Sequence, residues 1–400
     1  MVAGFLASPH MPYTPSVMDT ANIQTWADIG VIFLLFALGL EFSFKKIVKV
    51  GGAAIIAACT IIFCMILLGI TVGTGFGWQR MDSIFLGGMI AMSSTTIIYK
   101  AFDDLGMRKK QFTGLVLSVL ILEDILAIVL MVMLSTMAVR HNFEGSEMLE
   151  SIGKLLFFLI LWFVVGIYLI PELLKRCRKL MSEETLLIVS LGLCFGMVVM
   201  AAHTGFSAAF GAFIMGSILA ETVEAESIER LVKPVKDLFG AVFFVSVGMM
   251  VDPAMIVEYA LPIIVITLAV ILGQSLFGTL GVLLAGQPLK TAMQCGFSLT
   301  QIGEFAFIIA SLGVSLHVTS DFLYPIVVAV SVITTFLTPY MIRFAEPASN
   351  FVDTHLPAKW KNFLLHYSSG SQTMNHESLW KKFILALTRI TIVYLSLIHI

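Results

Sequence analysis

The chain has 400 residues, of which 58% are hydrophobic and 12% are charged, with a formal net charge of −2 and a mean hydropathy of +0.97. Soluble domains carry about 25% charged residues, so this composition excludes an ordinary soluble domain and predicts a polytopic membrane protein. The small negative charge gives no support to a nucleic-acid partner, and the five cysteines show no metal-ligand or disulfide spacing. We expect no cofactor.

Apolar segments separated by short polar connections recur along the chain. A transmembrane helix needs about 20 predominantly apolar residues, and the segments approach or exceed that length. The predicted spans are 24–42, 51–76, 82–101, 111–139, 152–174, 184–203, 205–221, 238–251, 254–286, 291–315 and 321–344.

The spans divide the chain into a membrane domain and two smaller parts. Residues 1–345 are predicted to form the membrane domain, and the short apolar stretch at its start resembles the second half of a truncated helix. Residues 346–378 are polar, which predicts an irregular cytoplasmic linker. Residues 379–400 are apolar and are predicted to be a truncated segment. The last six residues resemble an adapter-derived tail rather than native sequence.

Basic residues are concentrated in alternate connections, which predicts that these connections are cytoplasmic. The opposite connections hold only Arg80, Arg140 and Lys154. On the basic side, the segment 221–237 is first acidic and then basic, and we expect a solvated helix along the surface. The basic residues on this side are Lys45, Lys46, Lys49, Lys100, Arg108, Lys109, Lys110, Lys175, Arg176, Arg178, Lys179, Arg230, Lys233, Lys236, Lys290 and Arg343.

The adjacent carboxyls Glu123 and Asp124 lie near the midpoint of the span 111–139, with no basic residue close in sequence. A centred aspartate costs about 2.5–3.5 kcal/mol on insertion scales, so the natural counter-charge is a proton or a bound cation. Desolvation disfavours the charged carboxylate, which lets a proton and a monovalent metal cation compete for Asp124. Because the two side chains point about 100° apart, only one can face a given pathway. The alternative is two structural carboxyls hydrogen-bonded to neighbouring helices.

Four consecutive hydroxyl residues interrupt the span 82–101. Serine and threonine compete with the helix for backbone hydrogen bonds, and a broken helix is tolerated at membrane depth where it lines a cavity. Hydroxyl and freed carbonyl oxygens suit a monovalent cation, although the hydroxyls could instead bond back to their own helix. The candidate residues are Ser93, Ser94, Thr95 and Thr96.

The span 291–315 has a comparable interruption, with Gln301 and Glu304 on either side of Gly303. These side chains predict a second broken helix that contributes to the ion pathway, and the alternative is a simple helix–helix hydrogen bond. Gln274, in the span 254–286, is a lone amide. We favour a structural hydrogen bond for this side chain, and the alternative is that it tunes the ion pathway.

Two groups of three spans have the same layout. The spans 51–76, 82–101 and 111–139 would start from the cytoplasm, and the spans 254–286, 291–315 and 321–344 from the other side. Each group has an interrupted middle helix. Opposed broken helices that cross at the midplane are a known transporter design, so the pattern predicts an inverted repeat.

Four stretches have a recognisable sequence. They are LLFALGLE at Leu34–Glu41, the hydroxyl run with Glu123–Asp124, GFSAAFGAFIMGSILAE at Gly205–Glu221, and FFVSVGM at Phe243–Met249 followed by QIGEFAF at Gln301–Phe307. Together they resemble the cation:proton antiporter-2 family, the monovalent cation/proton antiporters that include sodium/proton exchangers and glutathione-gated potassium efflux systems.

This resemblance implies an all-α polytopic membrane protein with the sodium/proton antiporter fold, inverted repeats and two crossed discontinuous helices. It further implies a homodimer in the bacterial inner membrane, in which a core domain moves against a dimerisation domain. The family's essential aspartate corresponds to Asp124. We expect Ser94, Thr95 and backbone carbonyls to complete the coordination, with Glu123 and Glu304 tuning the charge or carrying a second proton. Some members have a lysine where this chain has Gln274, which leaves stoichiometry and ion preference open.

The residues therefore favour exchange of Na⁺, or alternatively K⁺, for H⁺. A channel should show a continuous polar pore or a repeated filter, and an intramembrane protease needs two aspartates on separate helices, whereas Asp124 is the only aspartate at mid-span. A membrane sensor that binds the cation without moving protons is the remaining alternative. We expect a transporter rather than an enzyme.

Overall fold

The computed structural model describes residues 2–9, 19–41, 51–139, 157, 162, 166, 169–176, 182–204, 207–249, 252–357, 359 and 361. Within these ranges the chain folds into helices joined by short turns. The helices are α1 (Val2–Leu6), α2 (Thr20–Glu41), α3 (Gly52–Gly75), α4 (Arg80–Ile90), α5 (Thr95–Asp104), α6 (Gln111–Val139), α7 (Glu183–His203), α8 (Ala208–Ala220), α9 (Ala225–Met249), α10 (Pro253–Glu258), α11 (Ala260–Leu284), α12 (Leu289–Ser298), α13 (Glu304–Ser315) and α14 (Leu323–His355).

Six helical segments of the described chain are long and apolar enough to cross a membrane, including the interrupted segment 80–104. The chain is therefore a multi-pass membrane protein, as its composition predicts. The span predicted at 152–174 lies largely outside the described residues, as does the segment 379–400. Each of the other predicted spans coincides with a described helix or with two half-helices in line.

Local sequence explains several helix starts. Ser182 and Ser207 cap α7 and α8, each accepting a hydrogen bond from the backbone N–H three residues later. Asp252 caps α10 and is followed by Pro253. Proline has no backbone N–H, and the first helical position is one where that N–H would have no partner within the helix.

The helices form two bundles. The scaffold bundle consists of α1, α2, α7, α8 and α9, and the core bundle of α3 to α6 and α10 to α14; extensive helix packing occurs within each bundle rather than between them. In the scaffold bundle, Gly39 of α2 faces Gly216 of α8, where an added Cβ would lie 2.2–2.3 Å from a backbone oxygen of the other helix. Small residues at this contact allow the two backbones to approach closely.

Two helices of the core bundle are interrupted where the sequence predicts it. The first broken helix consists of α4 and α5, separated by residues 91–94, and the second consists of α12 and α13, separated by residues 299–303. Each break occurs at a polar or glycine-containing stretch that cannot continue the apolar helix, which confirms the predicted pair of discontinuous helices.

Two local predictions are wrong. The acidic and basic segment 221–237 does not form a separate surface helix, because α9 continues without a break from Ala225 to Met249, even through Pro234. The linker predicted from residue 346 is not irregular at its start, since α14 extends to His355 and Glu346 pairs with Lys290 at 2.9 Å. The division into domains remains a prediction.

In the first turn of α4, a buried carboxylate connects the two halves of the core bundle. Asp82 is 1% exposed, and its two oxygens accept hydrogen bonds of 2.7 Å from the backbone N–H and the hydroxyl of Ser320, which precedes α14. The carboxylate therefore fixes the turn between α13 and α14 against the start of the first broken helix.

We expect Asp82→Ala to destabilise the protein by about 2–4 kcal/mol, because it leaves the Ser320 N–H and hydroxyl without their charged acceptor. Asp82→Asn is the matched control, since an amide can accept one bond and donate the other. Thermal unfolding of the purified protein in detergent checks this. Equal unfolding temperatures for the alanine and asparagine variants would contradict it.

Candidate functional site

The two broken helices cross where both are unwound. The Gly303 N–H donates to the Met92 carbonyl at 2.8 Å, and the Ser93 hydroxyl donates to the Leu299 carbonyl at 3.1 Å. A Cβ on Gly303 would lie 2.5 Å from the Ser93 carbonyl oxygen, so only glycine fits at this contact. Backbone groups released by each interruption thus find partners in the other.

Gln301 connects the crossing to α14. Its amide nitrogen donates to the Ser94 carbonyl at 3.0 Å, and its amide oxygen accepts from the Thr338 hydroxyl at 2.7 Å. Both Gln301 and Thr338 are fully buried. In addition, the Ser331 hydroxyl donates to the Ile302 carbonyl at 3.2 Å. The α14 helix therefore supports the unwound segments through side-chain hydrogen bonds.

We expect Gln301→Leu to destabilise the protein by about 1–3 kcal/mol, because two buried hydrogen bonds are lost, although the Ser94 carbonyl keeps the Ile98 N–H and the Thr338 hydroxyl keeps the Thr334 carbonyl as partners. Thr338→Val removes only one of the two links and should have a smaller effect. The comparison uses thermal unfolding in detergent. A Thr338→Val variant less stable than Gln301→Leu would be inconsistent with this role of Gln301.

The adjacent carboxyls on α6 occupy different environments. Glu123 is 1% exposed, and its Oε2 accepts a hydrogen bond from the Ser93 N–H at 3.1 Å. Its Oε1 has no hydrogen-bond partner among the described residues. Asp124 is half-buried and its Oδ2 accepts from the Thr95 hydroxyl at 3.1 Å. The two carboxyls therefore face apart, as the helical angle between neighbouring residues requires.

Gln274 also contacts the first broken helix. Its amide nitrogen donates to the Ile90 carbonyl at 3.2 Å, at the last residue of α4, while its amide oxygen is buried without a partner within the described chain. The side chain thus satisfies a carbonyl at a helix C-terminus, which is the structural hydrogen bond favoured from the sequence.

Asp124 faces a cavity of about 790 Å³ that lies between the two bundles. Glu304, at the first turn of α13, lines the same cavity and is close enough to interact electrostatically with Asp124. The walls are mainly apolar, with Leu38 and Phe244 on the scaffold side. At one end the cavity reaches the ion pair between Glu41 and Lys236, where the helix α2 ends.

The predicted site residues fall into two groups. Those that line the cavity are Ser94, Thr95, Thr96, Asp124 and Glu304. Those that lie buried behind it and hold the broken helices are Ser93, Glu123, Gln274 and Gln301. The Ser94 hydroxyl accepts from the Ile97 N–H at 3.3 Å and so caps α5, although the residue also borders the cavity.

Sequence reasoning missed Lys236 and Asp237, which also line the cavity. Their charged segment reads as a surface helix, yet Gly240 and Phe244 follow at intervals of three to eight residues and line the same cavity. Residues separated by three, four, seven or eight positions share one face of a helix. This periodicity could have placed both charges on the cavity side of α9.

Comparison with known proteins gives a consistent result. The family model described as the transmembrane sodium/hydrogen exchanger matches residues 1–345. A putative cation/proton antiporter of Escherichia coli, YbaL, is 33% identical over 359 residues, covering 86% of this chain and 63% of that protein. The K⁺/H⁺ antiporter subunit KhtU of Bacillus subtilis is 31% identical over 324 residues, covering 79% of each.

The fold is also similar to a solved structure. The sodium proton antiporter MjNhaP1 of Methanocaldococcus jannaschii superposes with a TM-score of 0.62 at 15% identity, covering 89% of this chain and 91% of that one. This likeness confirms the predicted antiporter fold. The family match covers the whole predicted membrane domain, and the chain belongs to the sodium/hydrogen exchanger family of monovalent cation:proton antiporters.

Proposed function

We propose that this chain is a secondary active antiporter that exchanges Na⁺ or K⁺ for H⁺. The observation that carries the proposal is Asp124, a carboxyl at mid-helix that faces a cavity between two bundles and accepts a hydrogen bond from Thr95, the first residue after the break in a broken helix. The names of YbaL and KhtU, a cation/proton antiporter and a K⁺/H⁺ antiporter subunit, support the reaction class. The chain spans 63% of the length of YbaL.

The proposed mechanism uses one carboxyl for two competing ligands. When Asp124 is ionised, a cation binds it with help from the Thr95 hydroxyl, the Ser94 segment and backbone carbonyls freed by the break. When a proton binds Asp124, the cation is released. Since proton and cation exclude each other, each passage of the site across the membrane carries one or the other, and this exclusion couples their movements.

The arrangement of two bundles supports alternating access by movement of the core. Extensive packing is confined to each bundle, and the cavity separates them next to Asp124. A core bundle that moves against the scaffold bundle would carry Asp124 and both broken helices as one unit, because their hydrogen bonds are internal to the core.

We further propose a homodimer in the bacterial inner membrane, with the basic connections in the cytoplasm. Lys236 and the basic connection after α2 then lie on the cytoplasmic side, so the cavity opens to the cytoplasm. The protein is a carrier rather than an enzyme. Na⁺ is the cation that we expect first, and K⁺ is supported by the name of KhtU.

The test is cation-induced dissipation of a pH gradient in everted vesicles from an antiporter-deficient host that expresses the full-length protein. NaCl and KCl are compared at equal ionic strength, with choline chloride as the control for an osmotic or chloride effect. Dissipation by one of the two salts supports antiport and identifies the cation. If neither salt acts between about pH 6.5 and pH 9, while cation binding is still measurable, the sensor interpretation replaces the antiporter.

A further inference from the structure

Among the described residues, the cavity that leads to Asp124 is lined by one basic side chain and several acidic ones. Lys236 is the only lysine or arginine that lines it in the described part of the chain, whereas Glu41, Asp124, Asp237 and Glu304 are all carboxyls. A positive charge on the route of a cation repels that cation, so the environment of Lys236 bears directly on access to Asp124.

Lys236 forms an ion pair with Glu41, and both residues line the cavity. Its ammonium donates to Glu41 Oε1 at 2.8 Å. The lysine side chain is 31% exposed and the glutamate side chain 46% exposed. An exposed pair of this kind contributes little to stability, and its main effect is on the local potential.

The pair is fixed to the scaffold bundle. Glu41 ends α2 and Lys236 belongs to α9, and these helices pack along their length through stacked rings, with Phe33 and Phe239 4.4 Å apart between centroids. Asp124 belongs to the core bundle. The two charges therefore form a stationary part of the passage that the moving site would meet when it faces this side.

The two members of the pair have opposite effects on a cation that approaches Asp124. Glu41 is close enough to Asp124 to interact with it electrostatically, so a cation held near one carboxyl is attracted by the other. Lys236 opposes this attraction and, when paired, neutralises Glu41. Removal of either partner changes the charge beside the passage by one unit, in opposite directions for Lys236 and for Glu41.

We propose that the Glu41–Lys236 pair sets the access of cations to Asp124, with Lys236 limiting and Glu41 restoring the attraction of the cavity. These are positioning charges that act on the cation before it reaches Asp124, rather than ligands of the bound ion. The proposal rests on the proposed function, because it assigns a determinant of apparent cation affinity to the antiporter cavity.

The experiment measures the apparent KM and the maximal rate for NaCl and KCl in everted vesicles at constant ionic strength. We expect Lys236→Gln to lower the apparent KM about two- to fivefold and Glu41→Gln to raise it by a similar factor, since each removes one charge at a range of several ångströms from the site. Maximal rates should stay nearly unchanged. The double variant should return close to the wild type.

A matched control is available on the core bundle. Lys290 pairs with Glu346 at 2.9 Å, both side chains are more than half exposed, and neither lines the cavity. Lys290→Gln should therefore leave the apparent KM unchanged. If Lys236→Gln and Glu41→Gln shift the KM in the same direction, or no more than Lys290→Gln does, the proposal fails and the pair has only a structural role.

A second readout separates this inference from the proposed exchange. Thermal stabilisation of the purified protein by NaCl or KCl measures cation binding without transport. If the wild type fails to exchange protons but the variants keep the expected order of cation binding, the antiporter proposal fails and the role of the pair stands. If the variants do not differ in either readout, the role of the pair is overturned whatever the wild type transports.

Discussion

Asp124→Asn is expected to abolish cation/proton exchange while the protein remains folded. Asparagine has nearly the volume of aspartate and keeps an oxygen that can accept the hydrogen bond from Thr95, which is 3.1 Å long in the native protein. It can neither release a proton nor offer a negative charge to a cation. At an effective dielectric constant of about 20, loss of a charge contact at about 4 Å costs about 4 kcal/mol, so cation affinity should fall by at least about 100-fold.

The measurement is dissipation of the pH gradient by NaCl and by KCl in everted vesicles, with protein amount checked by immunoblot. Asp104→Asn is the matched control, because Asp104 is an exposed residue that pairs with Lys100 at 2.7 Å on the surface of α5. This control should retain wild-type activity. An Asp124→Asn protein that exchanges cations at the wild-type rate would show that the ion site lies elsewhere.

The parts of the site that could be predicted from sequence are those in which polar or helix-breaking residues lie inside an apolar membrane span. A carboxyl pair at the centre of an apolar span indicates a functional site, since an uncompensated charge in the membrane is costly. The rows of hydroxyl residues and the glycine at position 303 conflict with a continuous apolar helix in the same way. Both interruptions are found next to these residues, since hydroxyl side chains and glycine weaken a helix at that point.

The parts that could not be predicted depend on partners distant in sequence. The Gln301 amide and the Thr338 hydroxyl are 37 positions apart, and Gln274 binds a carbonyl 184 positions away. Nothing in the local sequence distinguishes these buried cross-links from cavity residues. The position of Lys236 is not predicted because a charged segment is usually exposed to solvent. The packing of α9 on α2 places this side chain at the cavity.

The crossing of the two broken helices depends on the absence of a side chain at one position. Gly303 has an extended backbone, with φ of −87° and ψ of 178°, which any residue can adopt. An added Cβ would nevertheless lie 2.5 Å from the carbonyl oxygen of Ser93 and 2.8 Å from the nitrogen of Ser94. Both are backbone atoms of the other broken helix, so neither can move without separating the two unwound segments.

Gly303→Ala is therefore expected to be among the most damaging single-methyl additions in the chain. Overpacking of this kind costs about 1–3 kcal/mol and occasionally more, and here it also lengthens the 2.8 Å hydrogen bond from the Gly303 N–H to the Met92 carbonyl. We expect the unfolding temperature in detergent to fall by about 5 °C or more, and exchange to fall at least about tenfold. Both quantities are measured on the same purified and reconstituted protein.

Gly192→Ala provides the control, since an added Cβ at that exposed position in α7 meets nothing within 4 Å. Alanine there should be neutral or stabilising by up to about 1 kcal/mol, because glycine is the poorer helix former. If Gly303→Ala behaves like Gly192→Ala, the unwound segments are not in close contact and the crossing does not hold the ion site together. If only Gly303→Ala loses both stability and exchange, the contact that supports Thr95 and Asp124 is the backbone crossing itself.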